Sequence, residues 1–421
     1  MKVTTFSAFK SRNYRLYFIG QSVSLIGTWM QKTAVSWVVY GLTHSKLMLG
    51  VTLFATMFPS FVLSSLGGVV SDRYNRYKVL LITQVLSLLQ AVVLTLLILS
   101  KHYHIWQVLV LSVVLGIINA FDVPARQSLV YDMVDDKKVL PNALALNSSM
   151  VNLSRLIGPA IAGLIIEKWG DGICFGLNAV SFVAVIASLM LMRLPAYVPK
   201  PHSKNMFGEL KEGLLYIKNT PSLGFVILML AMVSLFVLPF TTLMPVFAKD
   251  VYHGTASTFG VIDSFIGLGA FSGAIFLASL KPGANLRKIL AVNTLVFATG
   301  LILFSYAQYY PLALAFATLG AFGMMSQVTI SNTIIQTTVS IAMRGRVISI
   351  YAMAFFGMQP LGGLIIGYVS QKIGVRDTVL AEGIIAAIIG LMHFRFLHHL
   401  KLKEAKAAMI MQVPVEASHQ A

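Results

Sequence analysis

The sequence predicts an all-α membrane protein with twelve transmembrane helices in two pseudo-symmetric six-helix bundles. Of its 421 residues 57% are hydrophobic and only 11% are charged, whereas about 25% of the residues of a soluble domain are charged. One globular core cannot bury that much apolar surface, so lipid must surround most of the chain. The net charge of +17 is spread over short gaps between apolar runs, which argues against nucleic-acid binding, because nucleic-acid-binding proteins gather basic residues on one face or arm.

Apolar runs long enough to cross a bilayer recur along the whole chain. A crossing helix needs about 20 apolar residues. The first run follows four basic residues, exceeds a signal-peptide core in length and lacks a small-residue cleavage site, so we predict an uncleaved helix. The predicted segments are 15–41, 47–70, 79–100, 105–123, 142–167, 172–193, 223–248, 258–280, 287–307, 311–336, 347–370 and 377–397.

Basic residues distinguish the two sides of the predicted membrane protein. An even number of helices puts both termini on one side, and 24 of the 32 Lys and Arg residues lie in the termini and loops of that side. Six lie in the opposite loops, and Lys32 and Arg155 lie within helices. Because loops rich in Lys and Arg stay in the cytoplasm, we predict that both termini are cytoplasmic.

The longest loop separates six predicted helices from the next six. Within it, residues 207–218 alternate apolar and charged side chains at helical spacing, which predicts a helix at the membrane surface. The predicted parts are therefore an N-terminal bundle over 1–194, a linker with this interfacial helix over 195–222, a C-terminal bundle over 223–398 and a cytoplasmic tail over 399–421. The tetrapeptide Gly-Leu-Ile-Ile at 163–166 recurs at 363–366, in corresponding segments of the two halves. Such a repeat indicates two related halves, which is the arrangement that alternating access around a central site requires.

A charged motif stands between segments 2 and 3. It reads Gly-Gly-Val-Val-Ser-Asp-Arg-Tyr-Asn-Arg-Tyr-Lys over residues 67–78. Its glycines permit close helix contact, Asn75 tolerates a left-handed turn, and Asp72 can cap a helix or pair with a cation. A basic loop on the cytoplasmic side is the alternative, but it leaves Asp72 after paired glycines unexplained. We predict a cytoplasmic gating latch made of Gly68, Asp72, Arg73, Arg76 and Lys78.

Segment 5 combines small residues with a proline. Gly158 and Ala162 are four residues apart on one helical face, followed by Gly163, and let a neighbouring helix pack closely. Pro159 removes a backbone donor and bends the helix. We predict a helix-packing motif, although small-residue packing of this kind is common in membrane proteins.

These motifs resemble those of a known superfamily. Residues 67–78 resemble the loop signature of the major facilitator superfamily, with Asn75 in place of a glycine and Tyr77 in place of a base, and Gly158-Pro159 resembles the signature of its antiporter branches. More specific stretches at 27–45, 120–128, 141–148 and 152–159 are similar to the enterobactin-exporter branch, also called transmembrane secretion effectors. This resemblance is dense over residues 10–195 and thin afterwards.

The resemblance implies the major facilitator fold and proton-driven export of an amphipathic small molecule, such as a siderophore or a drug-like compound. It also implies a bacterial cytoplasmic (inner) membrane location; we expect a monomer, and no cofactor beyond the proton gradient. An uptake permease or lipid flippase has the same architecture and stays an alternative. The sequence contains no nucleotide-binding loop, so we expect a gradient to supply the energy. An enzyme or receptor is disfavoured because the sequence contains no His/Cys/Asp cluster or nucleophile motif and no loop long enough to form a domain outside the membrane.

Charged residues within the predicted segments are the main candidates for function, because charges in a membrane usually face a cavity or a partner. Arg155 is predicted near mid-membrane, as an anion-binding group or as a structural counter-ion. The resemblance leads one to expect an acid in segment 1, but Lys32 stands there. Proton coupling would then fall to Asp263 or Asp122. The alternative for Asp263 and for Glu382 is a place at the outer headgroup level. For Asp122, which precedes Arg126 by four residues near the cytoplasmic end of segment 4, a gating role is favoured over a local helix pair with Arg126.

Uncharged polar residues at helical spacing predict the rest of a central cavity. Segment 1 presents a polar stripe that includes Gln21 and Gln31, and Asn152 precedes Arg155 on segment 5. Segment 10 offers Gln327, and Asn332 with Gln336 at i, i+4 spacing. The predicted cavity and coupling residues are Gln21, Gln31, Lys32, Asp122, Arg126, Asn152, Arg155, Asp263, Gln327, Asn332 and Gln336, and no metal ligands are predicted.

Overall fold

A computed structural model describes residues 6–194, 206–281, 283–341 and 343–411, and these stretches contain helices and turns but no strand. The predicted all-α membrane fold is confirmed. The first five residues, residues 195–205 of the predicted linker and residues 412–421 of the predicted tail lie outside the described residues.

The first half of the chain forms six long helices joined by short turns. Asn75 begins α3 by accepting hydrogen bonds from the backbone N–H groups of Tyr77 at 3.0 Å and Lys78 at 3.3 Å, as a helix-capping residue does. Gly170 has a φ of 89° between α5 and α6, a conformation that glycine adopts readily. The helices are α1 Arg12–Thr43, α2 Lys46–Arg73, α3 Arg76–Leu99, α4 Ile105–Met133, α5 Leu140–Trp169 and α6 Asp171–Met190.

The second half contains six further crossings, two of which are irregular. A 3-10 turn at Leu238–Leu243 joins α8 to the short α9, which a π turn at Phe247–Val251 continues, and a π turn at Met353–Gly357 joins α13 to α14. Pro239 and Pro245 lie in the first irregular crossing, where their missing N–H groups interrupt the regular bonding pattern. The helices are α7 Met206–Lys218, α8 Pro221–Phe236, α9 Met244–Val246, α10 Ala256–Ala278, α11 Leu286–Tyr306, α12 Tyr310–Thr338, α13 Arg344–Ala352, α14 Met358–Ile373 and α15 Val375–Met411.

Twelve helical stretches are long enough to cross a bilayer. Eleven of them, all in the described part of the chain, are also apolar enough by composition. The twelfth is α1, whose 32 residues extend about 48 Å at 1.5 Å per residue, well beyond a hydrocarbon core of about 30 Å. Polar side chains such as Gln21, Ser24 and Gln31 are buried along α1, which packs against α5 and α6 inside the bundle.

Helix α7 follows the first six crossings and packs on the second half. Its Leu210 and Ile217 join a cluster with Val347 and Ile350 of α13, and Glu212 forms an ion pair with Arg346 at 2.5 Å. The helix occupies the stretch where the sequence predicts one, and its position at the membrane surface stays a prediction.

The two halves meet through glycines at the end of the bundle remote from the termini. A Cβ on Gly163 of α5 would lie 2.7 Å from the Ala256 carbonyl oxygen of α10, and one on Gly367 of α14 would lie 2.9 Å from the Lys46 carbonyl oxygen of α2. Such contacts bring helix backbones together only where no side chain intervenes. The halves are therefore held closely together at this end.

Candidate functional site

A cavity of about 280 Å³ lies between the two halves. Helices α1 to α5 form most of its wall, and the 3-10 turn at Leu238–Leu243, α10 and α14 complete it. Nine of the 23 lining residues are apolar and fourteen are polar or charged, so the cavity offers both apolar surface and hydrogen-bonding groups to a small molecule. Its residues are Thr28, Trp29, Gln31, Lys32, Val35, Ser36, Leu49, Thr52, Leu53, Thr56, Met57, Gln90, Ser112, Leu115, Asn119, Arg155, Pro159, Thr241, Thr242, Phe259, Asp263, Ile266 and Gln359.

Three charged side chains from three helices meet in this cavity. Lys32 of α1, Arg155 of α5 and Asp263 of α10 all line it, and they are close enough to interact electrostatically. Asp263 also accepts a hydrogen bond of 3.4 Å from the Thr33 hydroxyl. Two cations and one carboxylate leave an excess of one positive charge. Asp263 therefore lies at the cavity inside the protein, which argues against the alternative that it lies among the outer lipid headgroups.

The ring of Trp29 lies beside both cations. Lys32 Nζ is 4.7 Å from the ring centroid and Arg155 Cζ is 5.6 Å from it, distances at which a cation is attracted to an aromatic face. Gly158 makes this arrangement possible, because a Cβ there would lie 2.6 Å from the Cβ of Trp29. The Gly158 part of the packing motif therefore brings α5 against α1 beside the cavity, while Gly163 brings α5 against α10.

A chain of amides fixes part of the cavity wall. Asn178 Nδ2 donates to Gln31 Oε1 at 2.7 Å, Gln31 Nε2 donates to Gln90 Oε1 at 3.1 Å, and Gln90 Nε2 donates to the Leu111 carbonyl at 3.2 Å. Buried amides in such a chain hold each other in one orientation. Gln90 and Asn178 were not predicted as site residues, although each is a polar residue inside an apolar run.

Asp122 and Arg126 lie outside the cavity lining, in a separate polar cluster. One oxygen of Asp122 accepts hydrogen bonds from Thr83 at 2.9 Å and Gln84 at 2.6 Å, and the other pairs with Arg126 at 3.2 Å. Asp122 is buried, and these partners satisfy its charge. The contacts favour the alternative of a local helix pair over a gating role.

Other polar residues predicted for the cavity lie elsewhere in the described chain. Gln327 is buried and accepts a hydrogen bond of 2.6 Å from Thr294 of α11. Asn332 accepts one of 3.0 Å from Gln336, which is exposed. Gln21 is buried on α1, and Asn152 donates back to the Ser148 carbonyl at 2.9 Å. None of the five, Gln21, Asn152, Gln327, Asn332 or Gln336, is part of the cavity lining described above.

The charged motif at 67–78 forms a compact network at the end of the bundle that carries the termini. Arg76 lies 3.7 Å from Asp72 and 3.7 Å from Asp132 of α4, and it also donates to the Ser71 carbonyl at 3.3 Å. Arg73 and Lys78 are exposed. The close helix contact falls on Gly67, whose added Cβ would meet the Ala120 carbonyl, whereas Gly68 has open space around it.

Asn75 corrects one expectation about this motif. Its φ of −62° and ψ of 109° are extended rather than left-handed, because the residue caps α3 through its side chain. A capping residue must leave the helical conformation so that its side chain can reach the first free N–H groups.

Polar contacts close the opposite end of the bundle across the two halves. The Tyr40 hydroxyl of α1 donates to Asp250, and Thr255 donates to Glu167 of α5 at 3.0 Å. The Lys46 backbone N–H donates to Gln371 at 3.0 Å, and Lys46 Nζ donates to the Ser370 carbonyl at 3.2 Å. These residues were not predicted as functional, because each lies near a helix end, where polar residues are ordinary.

Glu382 also departs from the sequence-based alternative. Its side chain is 0% exposed within α15, so it lies inside the protein rather than in contact with lipid headgroups. The described part of the chain contains no cluster of His, Cys, Asp or Glu that could hold a metal ion.

Twelve crossing helices, two halves and a central cavity define a membrane transporter of the major facilitator type. The model of the transmembrane secretion effector family matches residues 3–419, and the chain belongs to that family. It is a multi-pass membrane transporter rather than an enzyme.

Relatives agree with this assignment, and a solved structure agrees with the fold. The chain is 27% identical to the staphyloferrin A transporter of Staphylococcus aureus over 92% of its own length and 97% of that protein. It is 25% identical to an enterobactin exporter of Shigella boydii, covering 90% of each chain, and 21% identical to macrolide efflux protein A of Streptococcus pyogenes, covering 91% and 96%. An inward-facing bacterial homologue of the human lysosomal transporter Spinster matches in fold, with a TM-score of 0.71, 14% identity and coverage of 91% and 96%.

Proposed function

We propose that this protein exports an anionic, amphipathic small molecule, of the carboxylate or catecholate siderophore type, by alternating access. The observation that carries the proposal is the unequal charge of the cavity, where Lys32 and Arg155 face the single carboxylate of Asp263. A buried positive excess is costly in a membrane. An anionic substrate offsets that cost and so binds in preference to a neutral one.

The shape of the site supports the same class of substrate. A forked guanidinium binds two carboxylate or catecholate oxygens at once, and the ring of Trp29 beside it offers a flat apolar surface. Two relatives carry names that refer to siderophores, and a third refers to macrolides.

Proton re-entry is the proposed energy source, with the protein acting as a monomer in a bacterial cytoplasmic (inner) membrane. The excess of Lys and Arg in the termini and their loops favours cytoplasmic termini. The end of the bundle that is closed by glycine and polar contacts would then be the outer end. The motif at 67–78 would lie on the cytoplasmic face and act on the equilibrium between conformations. Uptake by the same architecture is the rival function.

A counterflow assay in proteoliposomes tests the substrate class. We expect unlabelled staphyloferrin A or enterobactin inside the vesicles to drive entry of the labelled compound, with a macrolide giving a weaker response. Vesicles without the protein are the control. Absence of counterflow with all three probes contradicts the proposal.

Transport direction separates export from uptake. In everted membrane vesicles an acidic interior should drive accumulation of the anionic siderophore, because protons then leave as substrate enters the space equivalent to the cell exterior. Accumulation only in right-side-out vesicles would instead identify an uptake permease.

A further inference from the structure

Glu382 is a fully buried acid that lies outside the substrate cavity. It lies on α15, seven residues after the helix begins at Val375, and its side chain is 0% exposed. Neither carboxyl oxygen has a hydrogen-bond partner among the described residues. Buried polar groups are normally paired, so an acid with both oxygens unpaired requires an explanation.

The surroundings of Glu382 are apolar. It shares one face of α15 with Val379 and Ala386, which belong to the main core cluster together with Phe297 and Leu301 of α11. The helices pack so closely there that a Cβ on the neighbouring Gly383 would lie 2.7 Å from Ile302 Cγ1. Glu382 does not belong to the cavity lining, so an aqueous substrate cannot be its partner in this conformation.

No charge in the described chain stabilises an ionised Glu382. Helices α8, α11 and α14 and the turn at Leu238–Leu243 pack against α15, and none of them presents a charged side chain that interacts with this carboxyl. Arg287 of α11 interacts instead with His393, the other buried titratable residue on this face of α15. His393 is eleven residues further along, or about 16 Å at 1.5 Å per residue.

We infer that Glu382 is a proton-binding site, protonated and neutral in this conformation, and that its proton is released only when the second half of the protein rearranges. An isolated carboxylate in an apolar interior is far more costly than the neutral acid. Binding one proton to the carboxylate removes the charge, while the unpaired O–H and C=O still leave a smaller cost. A conformation that gives the carboxylate water or a cation favours release of that proton.

The coupling part of this inference rests on the proposed function. In an exporter driven by proton re-entry, some titratable group must hold a proton in one conformation and lose it in the other. Asp263 lies beside Lys32 and Arg155 in the substrate cavity, whereas Glu382 lies outside that cavity and has no charged neighbour among the described residues. The structure therefore assigns Glu382 a proton site outside the substrate cavity.

Infrared difference spectroscopy of the purified protein in lipid nanodiscs tests the proton site directly. The parent minus the Glu382→Gln variant at neutral pH should show the carbonyl band of a protonated carboxylic acid. Glutamine keeps the size of the neutral acid, so the variant should fold, and Glu382→Asp provides a second difference spectrum. Asp377→Asn, at an exposed position on the same helix, is the control and should show ionised carboxylate bands. Ionised bands for Glu382 overturn the inference.

Transport by the same variants tests coupling. With staphyloferrin A as the probe, Glu382→Gln should keep substrate exchange but lose its response to a pH gradient, while Asp377→Asn keeps both. Asp263→Asn is measured beside them, because it removes the cavity carboxylate. A full pH-gradient response in Glu382→Gln overturns the coupling role. If the parent transports none of the probes, the proposed function fails, and the infrared result still decides whether Glu382 holds a proton.

Discussion

Lys32 and Arg155 share a single aromatic neighbour at the centre of the protein. Each lies within 6 Å of the ring of Trp29, but a cation near an aromatic ring gains only about 0.5–2 kcal/mol. That gain is smaller than the cost of a charge at the centre of a membrane. Asp263 balances one of the two cations, so the remaining charge explains why an anion should bind here.

Arg155→Lys is expected to weaken binding of an anionic siderophore by about tenfold, equivalent to about 1.4 kcal/mol. Lysine keeps the charge but cannot form two parallel hydrogen bonds with one pair of oxygens. Binding of a neutral probe should change much less. Competition for counterflow of labelled staphyloferrin A by increasing concentrations of each compound measures both affinities.

Arg395→Lys provides the matched control, because Arg395 is exposed on α15 and does not belong to the cavity lining. It should leave both affinities unchanged. If Arg155→Lys and Arg155→Ala bind both probes like the parent while lowering the melting temperature, Arg155 is a structural counter-ion, and the preference for anions loses its main support.

The sequence identifies these residues as candidates, but it does not predict that they lie close together in the fold. Lys32, Arg155 and Asp263 stand out because charges are rare in apolar segments. Their convergence depends on how α1, α5 and α10 pack, which periodicity within one helix does not determine. The same limit applies to Gln327, whose partner Thr294 lies on the neighbouring α11.

At the scale of elements, Arg76 links the start of α3 to two neighbouring helices. It pairs with Asp72 at the end of α2 and with Asp132 near the end of α4. Gly67 brings α2 against α4 in the same region. The motif at 67–78 therefore joins three helices of the first half at one end. Such a junction can couple the movements of these three helices.

Asp72→Asn is expected to leave the protein folded and inserted but to slow transport severalfold. The Asp72 side chain is 45% exposed, and exposed ion pairs contribute about 0.2–1 kcal/mol, too little to unfold the protein but enough to shift an equilibrium between conformations. Initial rates of siderophore counterflow, divided by the amount of protein in the vesicles, provide the measurement.

Asp135→Asn is a suitable comparison, because Asp135 is an exposed acid at the same end of the bundle and its substitution makes the same change in charge. It should transport at the parental rate. Normal transport by a well-expressed Asp72→Asn variant would remove the latch assignment, whereas equal slowing in both variants would indicate a general effect of surface charge.

Helices were easier to predict than their interruptions. Long apolar runs between basic loops give the crossing segments, because hydrocarbon requires about 20 apolar residues for each. The turns at Leu238–Leu243 and Met353–Gly357 were not predicted, although Pro239 and Pro245 in the first irregular crossing are sequence signals that interrupt helical hydrogen bonding. The first of these turns places Thr241 and Thr242 in the cavity wall.

At the scale of the whole molecule, the two halves are joined at the end remote from the termini. Glycine contacts between α5 and α10 and between α2 and α14 are reinforced there by polar pairs such as Thr255 with Glu167. Hydrogen bonds of this kind contribute about 0.5–1.5 kcal/mol each, so a few of them hold one conformation without making it permanent. Alternating access requires this end to open during each transport cycle.

A cross-link across this end should therefore stop transport. Lys46→Cys with Gln371→Cys places one thiol on each half where the parent residues are joined by a 3.0 Å hydrogen bond, and the native Cys174 is buried and unpaired, so it should not compete for the oxidant. Oxidation should abolish counterflow of labelled staphyloferrin A, and a reductant should restore it, because the disulfide blocks only the opening movement. Each single variant treated with oxidant should transport like its untreated form. Full counterflow by a completely cross-linked double variant would show that substrate does not leave through this end.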